Sequence, residues 1–396
     1  MPPPQTGIRS LASRDFLRHH ERLLRPALDT WALELHQELD GLNMASATDP
    51  SQLDAVSACM NKASFVVAST GHLASAMHMC ECQLTWVARR SLACSDAGIL
   101  SHAIQPWINI GRLHALRGDR ESASPHFRLA EQFSHQEPAV LGPCHLPADA
   151  WQAIIKAAPE MPHVMWNVYA LETIKGCLKS GDSARALVTI SYLRHTVPAR
   201  WHGFINEGEV LGLLHHGKAE QAVAQAVCAD PGSAYDEAAF RLHEITGLIM
   251  LGHCQQALRR AVGLVAFLTQ VQPQRSKDAP TLLRQLRQLS ILMEALDEPR
   301  YVLAATLRGL DICIDHDDQP LRFAFLATAL RLAPTHAAVL GWEREHRHLI
   351  DHCLYTEVRR GRSSTAAVLD RLPFLGLITA VEGGVDHPTL PAPGQR

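Results

Sequence analysis

Apolar residues along this chain recur at three- and four-residue spacing, the period of an amphipathic helix. They almost nowhere alternate as a half-buried strand requires. Leu17, Leu24, Leu28, Trp31 and Leu35 set the pattern in the first long segment, residues 13–42, where Pro26 punctuates one or two helices. Ala, Leu, Gln, Glu and Arg dominate the chain, residues that favour helix wherever packing does not decide. The pattern predicts an all-α protein.

A second regularity lies on top of the helical one. A Gly, four residues and an Ala recur at Gly71/Ala76, Gly118/Ala123, Gly181/Ala186, Gly217/Ala222 and Gly252/Ala257, each between two apolar helical stretches. Gly takes the left-handed conformation that ends one helix. The Ala is small enough for the next helix to approach its partner closely. The best copy runs from Trp107 through Ile110, Gly111, Gly118, Ala123 and Phe127 to Ala130, with His114 inside it. The turns are 47, 63, 36 and 35 residues apart. The last two intervals match a helix-pair repeat of about 34 residues. The first two carry extra sequence, near 91–105 and 136–162. The second stretch holds Pro138, Pro143, Pro147, Pro159 and Pro162 and reads as a loop with a short helix around 148–158, either a surface excursion or part of a binding face.

These residues at these offsets resemble the tetratricopeptide repeat family. The resemblance implies a right-handed α-solenoid of helix hairpins, with N-terminal helices and a C-terminal capping helix. The expected organisation is a disordered start (1–10), a helical segment (11–50), repeats (51–272), degenerate helices and a cap (273–372) and a mostly disordered tail (373–396). Within the degenerate part, 279–296, 299–314 and 320–332 read as helices, and 335–358 as the capping helix.

The formal net charge is -3 and aromatic residues make up 6% of the chain, so neither a basic nucleic-acid surface nor an aromatic stacking platform is indicated. No stretch is long and apolar enough for a membrane span, and no secretory leader opens the chain. The 10 Cys are scattered without a C-x-x-C pair, which favours reduced thiols and a cytoplasmic location. Phosphate-binding glycine loops and nucleophile elbows are missing. Two clusters merit weighing among the 23 His. His78, Cys80 and Cys82 fall on one helix, but Cys80 occupies the core register of Phe127, so packing is favoured over a metal site. Glu345, His348 and His352 share a helical face without an evident partner helix, and a solvated polar face is favoured there. No metal and no cofactor is expected.

In the tetratricopeptide family the first helix of each pair lines a groove that receives an extended peptide or a helix. The resemblance places Asn61 and Phe65 on that face in the first copy, and Gln105 and Arg112 in the second, with Asn109 adjacent. Lys175 follows in the third, with Glu172 one residue off a groove position, Glu207 in the fourth, and Thr246 in the fifth with His243 close by. The expectation is therefore a non-catalytic module that binds a peptide or protein segment, with a bacterial peptide-responsive regulator as one subclass. The alternative is a helical metal- or cofactor-dependent enzyme, or an accessory protein of a biosynthetic pathway. Self-association is left open.

Overall fold

The computed structural model describes residues 33–35, 37–38, 50–69, 71–94, 97–179, 182–197, 202–273, 278–316 and 318–333. The expected cap, the tail, most of the N-terminal helical segment and the Glu345–His352 cluster lie outside them.

The described chain is predominantly helical. It begins with α1 (Pro50–Ser69), α2 (Leu73–Cys94), a short 3-10 turn (Ala97–Leu100), α3 (Ser101–Leu116), α4 (Arg120–Phe127) and α5 (Leu129–Ser134). A small hairpin follows, β1 (Ala139–Leu141) and β2 (Cys144–Leu146), then α6 (Ala150–Ala157). The rest is α7 (Met161–Lys179), α8 (Ser183–Thr196), α9 (Gly203–His215), α10 (Ala219–Cys228), α11 (Ala234–Met250) and α12 (Cys254–Gln270). Three helices close the described part: α13 (Ala279–Ala295), α14 (Pro299–Asp315) and α15 (Gln319–Leu332), each close to its predicted span.

The turns work as their sequence requires. Gly71, Gly118, Gly217 and Gly252 all have φ between 76° and 87°. At Gly118, Gly217 and Gly252 the next residue's N–H reaches back to the carbonyl five residues earlier, as in Asp119 to His114, which satisfies the orphan carbonyls of the ending helix. Asp119 and Asp182 then cap the following helix, accepting from the N–H of Ser122 and of Arg185. The five paired alanines, Ala76, Ala123, Ala186, Ala222 and Ala257, are all buried. A further turn of the same kind joins α13 to α14. Asp297 stands there at φ 59°, and the Glu298 N–H reaches the Met293 carbonyl.

Consecutive helices pack in pairs. The first helix of each pair also packs on the first helix of the next, α1 on α3, α3 on α7, α7 on α9, α9 on α11, α11 on α13 and α13 on α15. These helices form a continuous inner layer, and one hydrophobic core runs beneath it from Leu35 to Ala329.

The short helix expected near 148–158 is α6, and the rest of both stretches is more regular than a loop. Residues 91–94 extend α2, 97–100 make the 3-10 turn and 101–105 begin α3, with Ile99, Leu100, Ala103 and Ile104 buried. Residues 136–162 hold a hairpin and α6, with one face buried and Val140 exposed on the other. Gly142 at φ 62° and Pro143 form a two-residue turn that pairs Leu141 with Cys144 and Ala139 with Leu146. All four of those residues are buried, as are Trp151 and Ile154 of α6. The Cys144 thiol donates to the Leu84 carbonyl at 3.2 Å and the Trp151 indole N–H to the Glu137 carbonyl at 2.9 Å. The segment is a plug that completes the core beside α2.

Candidate functional site

Three helices of the inner layer bring most of the expected groove residues together. On α3, Gln105, Asn109 and Arg112 lie at i, i+4 and i+7, one helical face. The Gln105 amide donates to the Asn109 side-chain oxygen at 3.0 Å, and the Asn109 amide donates to the Asn61 side-chain oxygen on α1 at 3.3 Å. In the other direction Arg112 Nε donates to Glu172 Oε1 on α7 at 3.0 Å, and its Nη1 reaches the Asn109 oxygen at 3.5 Å. Lys175, one turn further along α7, lies 3.5 Å from the same Glu172 oxygen. Six residues predicted singly therefore form one polar ladder across α1, α3 and α7. Phe65 sits half-buried one turn from Asn61 on α1.

The ladder is only partly open. The Arg112 side chain is 37% exposed, while Glu172 and Lys175 are 11% and 13% exposed. Glu172 takes up both neighbouring cations through one oxygen, so an incoming carboxylate meets an internal competitor. The amides are in a different position. Each has both a donor group and an acceptor, and an amide–amide bond can be exchanged for a bond to a peptide backbone at little net cost.

Glu207 and His243 occupy another kind of place. Glu207 on α9 and His243 on α11 meet at 3.0 Å with side chains 9% and 0% exposed. Their register turns them toward the packing between the two helices, so they are not surface groove residues in this structure. Thr246 is likewise buried and donates to the Leu242 carbonyl.

Several polar contacts carry no sequence signal. Lys62, next to Asn61, is held by Glu34 at 3.1 Å and Glu38 at 2.7 Å. Glu131 on α5 accepts from Tyr169 on α7, from Tyr192 on α8 and from Arg128. Burial acts to raise the Glu131 pKa, but those three hydrogen bonds prevail and lower it. Burial and the adjacent Glu131 push the Tyr169 hydroxyl up. Further along the inner layer, Gln285 donates to the Tyr235 carbonyl at 2.7 Å and Arg287 to Thr328 at 3.1 Å.

The His78 cluster separates as its helical phase requires. The Cys82 thiol lies 3.6 Å from His78 Nε2 on the exposed side, and Cys80 is fully buried. Burial pushes the Cys80 thiol up to about 11, and does the same at Cys59 and Cys144, which keeps these thiols protonated and unreactive. Among the described residues no group of three or more His, Cys, Asp or Glu side chains is placed to hold a metal ion. No described helix is long and apolar enough to cross a membrane. No protein-family model matches the chain, and no curated protein matches it.

Proposed function

We propose that the chain is a right-handed α-solenoid of tetratricopeptide type that acts without catalysis, holding an extended peptide or protein segment against the face of α1, α3 and α7. The ladder from Asn61 to Lys175 carries this reading, because half-buried amides and the 37% exposed Arg112 side chain converge there on one surface. Support also comes from the recurring turns and from the inner layer of first helices. An extended segment has backbone N–H and C=O groups along its length, and the amides of Asn61, Gln105 and Asn109 match both. In this reading the protein is a cytoplasmic binding module of the kind used in peptide-responsive regulators, and its buried thiols serve packing.

The test is binding of the labelled protein to an array of random short peptides. Wild type is expected to retain a defined subset, and the double variant Asn109→Ala, Arg112→Ala to bind that subset about tenfold or more weakly. Retention of nothing, or equal retention by the variant, overturns the proposal.

A further inference from the structure

A cavity of about 240 Å³ opens where α10 ends, and it shares no residue with the ladder. Arg194 of α8, Asn206 of α9, Gln225 and Cys228 in the last turn of α10, Asp230 just beyond it and Phe240 of α11 line it. Its volume is that of roughly eight water molecules, below the usual range for drug-sized ligands.

The sign of its charge follows from the partners. Arg194 is cancelled by Glu209 at 2.5 Å, which also accepts from Gln225 at 2.9 Å. Asp230 has no ion pair and no hydrogen bond among the described residues, and neither does the side-chain amide of half-buried Asn206. The carboxyl end of α10 adds to this. Its last turn contains no basic residue, and no backbone N–H caps its final carbonyls among the described residues. The last turn of α8, by contrast, holds Arg194 and His195, and the Val197 N–H returns to the Leu193 carbonyl. A helix end without such partners carries about half a negative charge. A carboxylate, a side-chain amide and a helix end, none of them compensated among the described residues, therefore border a space that the buried Phe240 also lines. A compact cation with three donors and a short apolar stem complements all of these.

We propose that this cavity binds an alkylammonium group, with the ammonium between Asp230 and the end of α10 and the stem along Phe240. The group comes from a free diamine or from a lysine side chain of a partner.

Cys228 and Cys254 are both exposed, and only Cys228 lines the cavity. Their reaction rates with an aromatic disulfide reagent, which amines leave intact, are read by peptide mass spectrometry. The probes are 1,5-diaminopentane and N-acetyl-lysine methylamide, each against KCl at equal ionic strength. At four times its dissociation constant a bound amine slows Cys228 about fivefold and leaves Cys254 unchanged. Slowing by the capped lysine as well assigns the site to a partner side chain, and slowing by the diamine alone assigns it to a free amine. Asp230→Asn, at an exposed position that disturbs no packing, is expected to weaken either effect about tenfold. Slowing of both thiols alike, slowing of neither, or undiminished protection in Asp230→Asn overturns the proposal.

Discussion

The stretch from α9 to α14 and the stretch from α1 to α7 build the same core in two ways. In the first, each pair closes through a left-handed turn and a small or β-branched residue buried five positions later: Gly217 with Ala222, Gly252 with Ala257, Asp297 with Val302. Short local rules suffice there. In the second, the pair α3–α4 is interrupted, its second helix breaks at Arg128, and a β-hairpin and α6 are inserted before α7. The core there closes only because Leu141, Leu146, Trp151 and Ile154 fill it from the insertion. The polar ladder stands on this irregular half, whereas the corresponding polar pair of the regular half, Glu207 with His243, is sealed inside. The ladder of the irregular half thus keeps Arg112 open, while the Glu207–His243 pair of the regular half is closed.

The comparison breaks most visibly at Trp151. Its side chain is fully buried and its N–H is bonded, so Trp151→Ala is expected to cost about 3–5 kcal/mol, read as a lower denaturation midpoint. A stability change below about 1 kcal/mol would show the insertion to be an appendage.

Next in size is a pH effect in the same half. His126 is buried under α3, its Nδ1 against the Trp107 carbonyl at 2.9 Å, and burial pushes its pKa down to about 4. The folded value lies below the unfolded value of 6.5, so the unfolded chain takes up the proton first. The stability this neutral histidine preserves is full above pH 6.5 and is lost as pH falls toward 4, by about 3 kcal/mol at most. Chemical denaturation at several pH values should show a shallower acid loss in His126→Asn than in wild type.

Gly111 lies against the same residue. A Cβ there would meet His126 Cβ at 2.6 Å, and neither atom can swing aside. Gly111→Ala is expected to cost about 1–3 kcal/mol in denaturant unfolding, despite the better helix propensity of Ala.

The smallest effects sharpen the regular half. Gly252 and Asp297 hold the same left-handed turn at φ 76° and 59°. Gly252→Ala should therefore cost about 1 kcal/mol, and Asp297→Gly should gain a few tenths of a kcal/mol, roughly what the left-handed penalty of an Asp allows. Thermal melts of the two variants should shift in opposite directions.

What the sequence made legible follows these two halves. The glycine turns and buried alanines were readable because each is a local rule with a fixed offset. The α13–α14 turn was expected between 296 and 299, but its likeness to the glycine turns escaped because a left-handed Asp297 looks like any polar residue and Val302 replaces the small one. The hairpin escaped because strands of three residues are too short to show alternation. Ladder residues were placed by the resemblance to the tetratricopeptide family, but their bonding to one another was not, since it depends on how close α1, α3 and α7 approach. The Glu131 hub had no signal at all: its tyrosines lie 38 and 61 residues away.

Hydrogen–deuterium exchange with an array-selected peptide bound tests the central claim most directly. Slowed exchange is expected in the segments of α1, α3 and α7 around Asn61, Asn109 and Glu172, with the second helices α2, α8 and α10 unchanged. Protection confined to the second helices would contradict that claim.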